Sequence, residues 1–132
     1  MASPIYKVMT EAAFEASWIQ GRFGGSADDL RDGFIHLSAA HQLAGTLAAH
    51  FAGQEGLVLL AVDPERLGPD LKWEASRGGA LFPHLYAPLD LAAVLWTEPL
   101  SLGEDGVHEL PAVLTLSPQG RGRQACAPGE GG

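Results

Sequence analysis

The stretch Leu57-Val58-Leu59-Leu60-Ala61-Val62 is an unbroken run of apolar residues, and Asp63-Pro64 ends it. An apolar run of this length, closed by a turn signal, is typical of a strand whose two faces are both buried. We therefore predict a core β-strand over these residues.

Helices are predicted on the N-terminal side of this strand. The segment Ala39–Phe51 places large apolar residues at i, i+4 and i+8 on one face, and Ser38 before it is a suitable N-cap. The segment Ala12–Ile19 follows Thr10, a second suitable N-cap, and Asp28–Leu30 suits a single helical turn.

Short strands account for most of the remaining chain. They are predicted at Ile5–Val8, Gly33–Leu37, Leu71–Glu74, Ala80–Tyr86, Leu91–Leu100 and Val107–Leu110. Short strands combined with helices in the N-terminal half favour the α+β class over a doubly wound parallel sheet.

The ends of the chain differ in composition. Residues 1–116 are predicted to form one domain, while residues 117–132 are rich in Gly and Pro, contain no large apolar residue and are expected to be a disordered tail. The single cysteine, Cys126, lies in that tail without a structured electropositive setting, and we interpret it as incidental.

The charge of the chain narrows the class of partner. The formal net charge is -8, and an acidic surface repels phosphate backbones, so no nucleic acid partner is expected. Neither a membrane span nor a signal peptide is visible, so a cytoplasmic location without a membrane partner is expected. Oligomeric state stays open.

The first candidate site segment runs from Asp32 to Ser38. Side chains alternate along a strand, so His36 and Ser38 should share one face with Phe34. A helix N-terminus directly after them would add free backbone N–H groups able to hold an anion or a sugar hydroxyl. The alternative is that Ser38 only caps the helix and His36 is a hydrogen-bonded core residue.

The second candidate segment runs from Lys72 to Tyr86. Glu74 could orient a hydroxyl or act as a base, and His84 and Tyr86 alternate so that they can share a face. The alternative for Glu74 is a surface ion pair with Lys72 or Arg77. Polar groups inside two apolar stretches are costly unless they are paired, which favours one shared cleft.

Two further kinds of site are possible for these residues, a metal site and a phosphoesterase site. His36, His84 and Glu74 could form a facial set of metal ligands, but no closely spaced histidine pair supports it, so no metal is expected. A two-histidine phosphoesterase would need two His-x-Ser/Thr motifs facing one another. The sequence His36-Leu37-Ser38 fits that motif, and His84-Leu85-Tyr86 fits it only in part.

A family resemblance is carried by an ordered set of blocks. These are Ile5-Tyr6-Lys7, Gly33-Phe34-Ile35-His36-Leu37-Ser38, Gln42 with Phe51, the apolar strand ending at Asp63, Leu71-Lys72-Trp73-Glu74, and Phe82-Pro83-His84-Leu85-Tyr86. The set resembles the bacterial domain-of-unknown-function 952 family over about residues 4–100. That resemblance implies an ADP-ribosyltransferase-like fold, a split β-sandwich of small sheets around a cleft that holds NAD.

The resemblance also implies roles for particular residues. ADP-ribosyltransferase-like folds carry a His or Arg on the opening strand, where this chain has Tyr6 and Lys7. They also carry a catalytic Glu on a later strand, for which Glu74 is the candidate. The related RNA 2′-phosphotransferases have a His-Leu-Ser block similar to residues 36–38.

The leading hypothesis is a transferase or hydrolase, or a binder, that acts on NAD, ADP-ribose or a related nucleotide-like ligand. Its catalytic candidates are Glu74, His36 and His84, and its ligand-binding candidates are Tyr6, Lys7, Ser38, Trp73, Phe82 and Tyr86. The alternatives are a non-catalytic ligand-binding or interaction module and the two-histidine phosphoesterase.

Overall fold

The computed structural model describes residues 3–111, which form a mixed α+β domain of antiparallel sheets and short helices. The strands are β1 (Ile5–Thr10), β2 (Arg22–Phe23), β3 (Ile35–His36), β4 (Ser38–Ala39), β5 (Leu57–Val62), β6 (Leu71–Ala75), β7 (Leu81–Leu85), β8 (Leu89–Asp90), β9 (Val94–Leu102) and β10 (His108–Glu109). The α-helices are α1 (Glu11–Gln20), α2 (Ala27–Asp32) and α3 (Leu43–His50). The predicted α+β class is confirmed, and the predictions for the tail and for the boundary at residue 116 lie outside the described residues.

The largest sheet has the strand order β10-β9-β5-β1-β4. Every residue of β5 is buried, as predicted from its unbroken apolar run. Alternation places Val58, Leu60 and Val62 in one apolar cluster and the intervening residues of β5 in a second cluster on the opposite face. This strand therefore separates the two halves of the core.

A second sheet has the order β3-β7-β6, and β2 pairs with β8. The chain crosses from the second sheet to the largest one between His36 and Ser38. His36 pairs with His84 of β7, whereas Ser38 pairs with Tyr6 of β1. Leu37, the residue between them, donates its N–H to the carbonyl of β7 residue Pro83 at 3.0 Å.

Ser38 is not a helix cap, which corrects one prediction. The chain first forms a 3-10 turn at Ala40–Gln42, and the side-chain oxygen of Gln42 accepts the N–H of Ala39 at 2.9 Å. The helical segment thus begins later than predicted, because pairing with β1 keeps Ser38 extended. The predicted strand Gly33–Leu37 is likewise shorter, since Gly33 ends α2 in the left-handed conformation with φ of 86°.

Other local predictions agree with the structure. Thr10 caps α1 by accepting the N–H of Ala13 at 3.1 Å, and β10 pairs back onto β9. A short 3-10 turn at Leu91–Ala93 precedes β9, so the strand predicted from Leu91 begins three residues later, at Val94. None of the helices within residues 3–111 has the length and hydrophobicity of a membrane span.

Candidate functional site

A cleft of about 380 Å³ lies where the chain crosses between the two sheets. Six residues predicted from sequence line it, namely Tyr6, Lys7, His36, Ser38, Phe82 and His84. Seven polar residues that were not predicted as site residues also line it, namely Ser26, Asp28, Arg31, Asp32, Thr46, His50 and Ser76. Its volume is near the lower end of the range of about 300–1,000 Å³ found for small-molecule sites.

The two histidines face the same cleft. His36 and His84 are direct partners on antiparallel strands, so their side chains project from the same face of the sheet. Their ring centroids are 5.8 Å apart. The ring of Phe34 stacks on His84 at 4.0 Å between centroids and lies 4.6 Å from His36. This aromatic contact holds both imidazoles in place at the base of the site.

His84 is held by a carboxylate. Its Nδ1 lies 2.8 Å from Oε1 of Glu74, and the hydroxyl of Tyr86 donates to the same oxygen at 2.7 Å. The bond from Tyr86, followed by the one from His84, holds the pKa of Glu74 below its ordinary value. The bond to the carboxylate in turn raises the pKa of Tyr86.

This carboxylate decides which ring nitrogen of His84 is available. An ionised carboxylate only accepts, so we assign the proton to Nδ1 and the free lone pair to Nε2. Within residues 3–111, Nε2 of His84 has no hydrogen-bond partner, and the residue is only 4% exposed. A buried imidazole with one nitrogen bonded to a carboxylate and the other unpaired has the geometry of a general base.

His36 has a different environment. Its Nδ1 lies 2.7 Å from Oδ1 of Asp29, and its Nε2 lies 2.9 Å from Oδ2 of Asp32. Both contacts are hydrogen bonds to ionised carboxylates only if both ring nitrogens carry protons. Both ring nitrogens of His36 therefore face carboxylates and neither is open to a ligand, and it differs from His84 in this respect.

Asp29 is the buried centre of this part of the site. Its carboxylate accepts from the Lys7 ammonium at 3.1 Å, from the backbone N–H groups of Ser26 and His36, and from the His36 ring. Burial alone would raise the pKa of Asp29, but the charge of Lys7 and these hydrogen bonds outweigh it and hold that pKa below its ordinary value. Burial lowers the pKa of Lys7 against the opposing effect of Asp29.

The Lys and Arg side chains that line the cleft in the described part of the chain are already paired. Lys7 donates to Asp29 and to the carbonyl of His36, and Arg31 forms ion pairs with Asp28 at 3.2 Å and with Asp32 at 2.9 Å. The bond from Arg31 is the largest cause of the lowered pKa of Asp32. The cleft consequently has little net positive charge to offer an anion.

Three of the predicted site residues do not line the cleft. Glu74 and Tyr86 lie behind His84 and contact each other. Trp73 pairs with Pro83, and alternation along β6 directs its half-exposed side chain to the face opposite that of Glu74. The predicted alternative of a surface ion pair for Glu74 is not its main contact, since it bonds His84 and Tyr86. Within residues 3–111, no group of three His, Cys, Asp or Glu side chains is arranged to hold a metal ion.

Sequence reasoning missed Asp29 and Asp32. The spacing of Ser26 and Asp29 is that of a capping box, and the structure contains both of its bonds, at 2.9 and 3.2 Å. That signal indicates the start of α2 but not the pairing of Asp29 with Lys7, which is 22 residues away. Asp32 lies four residues before His36. This spacing predicts a contact between them only when α2 and β3 are known to be adjacent.

Comparisons with known proteins identify a family and name no activity. The model of the DUF952 family, described as a protein of unknown function, matches residues 8–97. The crystal structure of protein CC0527 from Caulobacter crescentus has 56% sequence identity and a TM-score of 0.83, covering 86% of this chain and 100% of that one. The solution NMR structure of CC0527 has 55% identity and a TM-score of 0.77, covering 88% and 100% of the two chains. No curated protein matches this chain.

Proposed function

This chain belongs to the DUF952 family, and from that premise we propose that its cleft is the active site of an enzyme in which His84 acts as general base on a small ribose-containing molecule. NAD, ADP-ribose and related nucleotides are the ligands first considered. Antiparallel sheets that meet at a cleft support an ADP-ribosyltransferase-like fold for the domain. The observation that carries the proposal is the Glu74–His84 pair with Nε2 unpaired at the cleft.

In this proposal, each group around His84 has a separate task. Glu74 is a positioning residue, because it fixes the tautomer of His84 and stabilises the imidazolium formed when Nε2 takes a proton. Tyr86 holds the carboxylate, and Phe34 holds the ring by stacking. The base takes a proton from a ligand hydroxyl or from water, and that oxygen forms a bond to the reacting carbon or phosphorus. The bond from the same atom to its leaving group breaks, and the imidazolium of His84 returns the proton to the leaving group.

His36 has a different task from His84. An imidazole with a carboxylate at each nitrogen has no nitrogen directed at a ligand, but it can hold Asp32 and Asp29 in place at the cleft wall. This arrangement weighs against the two-histidine phosphoesterase, because that mechanism needs both imidazoles to contact one phosphate. The carboxylate of Asp32 lies where the second contact would be made.

The second candidate function is ligand binding without turnover. Its supporting observation is that Glu74, the carboxylate predicted to be catalytic, does not line the cleft and bonds only within the protein. A site that has lost its chemistry would keep such bonds for stability. It would then bind the same ligands as an active site.

A turnover screen separates these functions. Purified protein is incubated with NAD, ADP-ribose and 2′,3′-cyclic nucleotides, and products are resolved by chromatography for wild type and for the His84→Gln, Glu74→Gln and His41→Gln variants. General-base catalysis contributes about 10²- to 10⁴-fold, so His84→Gln should lower kcat at least about 100-fold. His41 is exposed and does not line the cleft, so His41→Gln is the matched control.

The effect of Glu74→Gln should be smaller and visible in the pH profile. Loss of the carboxylate removes the stabilisation of the imidazolium, so the limb of the pH profile that requires the neutral base should shift to lower pH. Turnover that is unchanged in His84→Gln would overturn the proposed mechanism. Binding with no turnover in wild type would establish the second candidate instead.

A further inference from the structure

We propose that the cleft selects an unphosphorylated ribosyl group, that is, a nucleoside or the ribosyl end of a larger molecule, and that the hydroxyl of Tyr6 is one of its hydrogen-bond partners. This inference rests on the proposed function, because it takes the ligand to contain ribose. It adds which part of such a ligand occupies the cleft and which residue recognises it.

Tyr6 has a buried hydroxyl without a protein partner. The residue is 2% exposed and lines the cleft, and its ring packs 5.9 Å from that of Trp96 between centroids. Within residues 3–111 its phenol makes no hydrogen bond, and burial alone accounts for its raised pKa. Most buried side-chain hydroxyls have a partner, so an unpaired one in a cleft indicates a group that the structure does not contain.

The neighbours of Tyr6 are also neutral hydroxyl groups. Ser38 is its direct partner on β4, and the Ser38 hydroxyl lies 2.8 Å from that of Thr46 on α3. All three residues line the cleft. Hydroxyls both donate and accept, and so they match the vicinal hydroxyls of a sugar better than they match an anion.

The charges of the cleft disfavour a phosphate. Among the side chains that the structure describes, the Lys and Arg side chains that line the cleft are Lys7 and Arg31, and both are paired with aspartates. Asp28 and Asp32 themselves line the cleft. A phosphate in this volume would be close to two carboxylates, and the described side chains of the lining offer it no unpaired ammonium or guanidinium group.

The experiment is a matched calorimetric series at low salt. Adenosine, guanosine, cytidine and uridine are titrated against wild-type protein, each beside its 5′-monophosphate. At least one nucleoside should bind about tenfold more tightly than its own monophosphate. Tyr6→Phe should weaken that nucleoside about tenfold, as expected for loss of one hydrogen bond.

Controls separate recognition from folding. Thr97→Val removes an exposed hydroxyl from β9, outside this cleft, and should leave nucleoside affinity unchanged. Tyr6→Phe removes an unpaired buried group, so its thermal midpoint should equal or exceed that of wild type. If Tyr6→Phe fails to fold, Ser38→Ala tests the same subsite.

Each outcome has a distinct meaning. Tighter binding of the monophosphates would overturn this inference and leave the proposed function in place. Equal affinity of wild type and Tyr6→Phe for the nucleoside would overturn the role of Tyr6. If none of the eight compounds binds, the assignment of a ribose-containing ligand is wrong, and the proposed function is wrong with it.

Discussion

Replacing Asp29 by Asn should destabilise the protein more than any other single change of a charged group in the site. The Asp29 side chain is 2% exposed, and its partner Lys7 is almost equally buried. The Oδ1 atom accepts two N–H groups of His36, and Oδ2 accepts the Lys7 ammonium and the N–H of Ser26. In Asp29→Asn an NH₂ group replaces one of these two oxygens. At either position, its N–H groups would face N–H donors that the carboxylate oxygen accepts in the wild type.

The magnitude follows from the burial of the pair. Removing one partner of a buried ion pair costs about 3–5 kcal/mol, because the other charge is left uncompensated in a medium of low polarity. A domain of this kind has a total unfolding free energy of about 5–15 kcal/mol, so Asp29→Asn should remain folded but with a much reduced margin. The adjacent Asp28 is largely exposed, and Asp28→Asn should cost less than about 1 kcal/mol.

The assay is urea unfolding at pH 7 followed by tryptophan fluorescence. Asp29→Asn should lower the midpoint without changing the slope, because the surface exposed on unfolding is the same. The double variant Lys7→Met with Asp29→Asn should be more stable than the sum of the single changes implies. A cost below about 1 kcal/mol for Asp29→Asn, equal to that of Asp28→Asn, would refute the view that this pair is buried and coupled.

Three further results are expected. The pKa of Asp29 is lower in the folded protein than its unfolded value of about 3.9. Its ionised form therefore contributes fully to the free energy of unfolding above that pH, and the contribution is lost as the pH falls towards the folded-state pKa. Urea midpoints measured from pH 6 to pH 2.5 should fall with acid less steeply in Asp29→Asn than in wild type. Leu60 is fully buried in β5, and Leu60→Ala should cost about 2–5 kcal/mol by urea unfolding, whereas a cost below about 1 kcal/mol would mean that the core collapses around the cavity. Gly33 has φ of 86° with open space at its Cβ position, so Gly33→Ala should lower the free energy of unfolding by about 1–2 kcal/mol from backbone strain alone. Gly24 has no positive φ, so Gly24→Ala is the neutral control, and equal thermal midpoints for the two variants would contradict this account.

The parts of the fold that follow from local patterns were predictable. The apolar run of β5 needs no partner to be recognised, and Thr10 caps α1 through a bond only three residues long. Ser38 shows the limit of such reasoning. Its side chain suits a cap, but pairing with Tyr6 keeps its backbone extended, and Gln42 supplies the bond to the turn instead.

The residues of the site likewise divide into those that local patterns predict and those that depend on tertiary contacts. His36 and His84 are predictable as candidates because polar residues inside apolar strands need partners, whereas their pairing across β3 and β7 is a tertiary contact that the sequence does not give. Asp29 could not be found in this manner. A carboxylate in the first turn of a helix is ordinarily a solvated group near the positive end of the dipole. Only the tertiary contact with Lys7 and His36, distant in sequence, converts it into a buried acceptor.

The crossing at Leu37 has a consequence for how this fold can diverge. A single residue separates His36, which faces His84, from Ser38, which faces Tyr6. One inserted or deleted residue in an extended segment reverses the direction of every side chain that follows it. Such a change would keep one of these pairings and break the other. Lineages that retain the cleft should therefore vary here by substitution alone, while insertions and deletions accumulate in loops such as the one between α3 and β5.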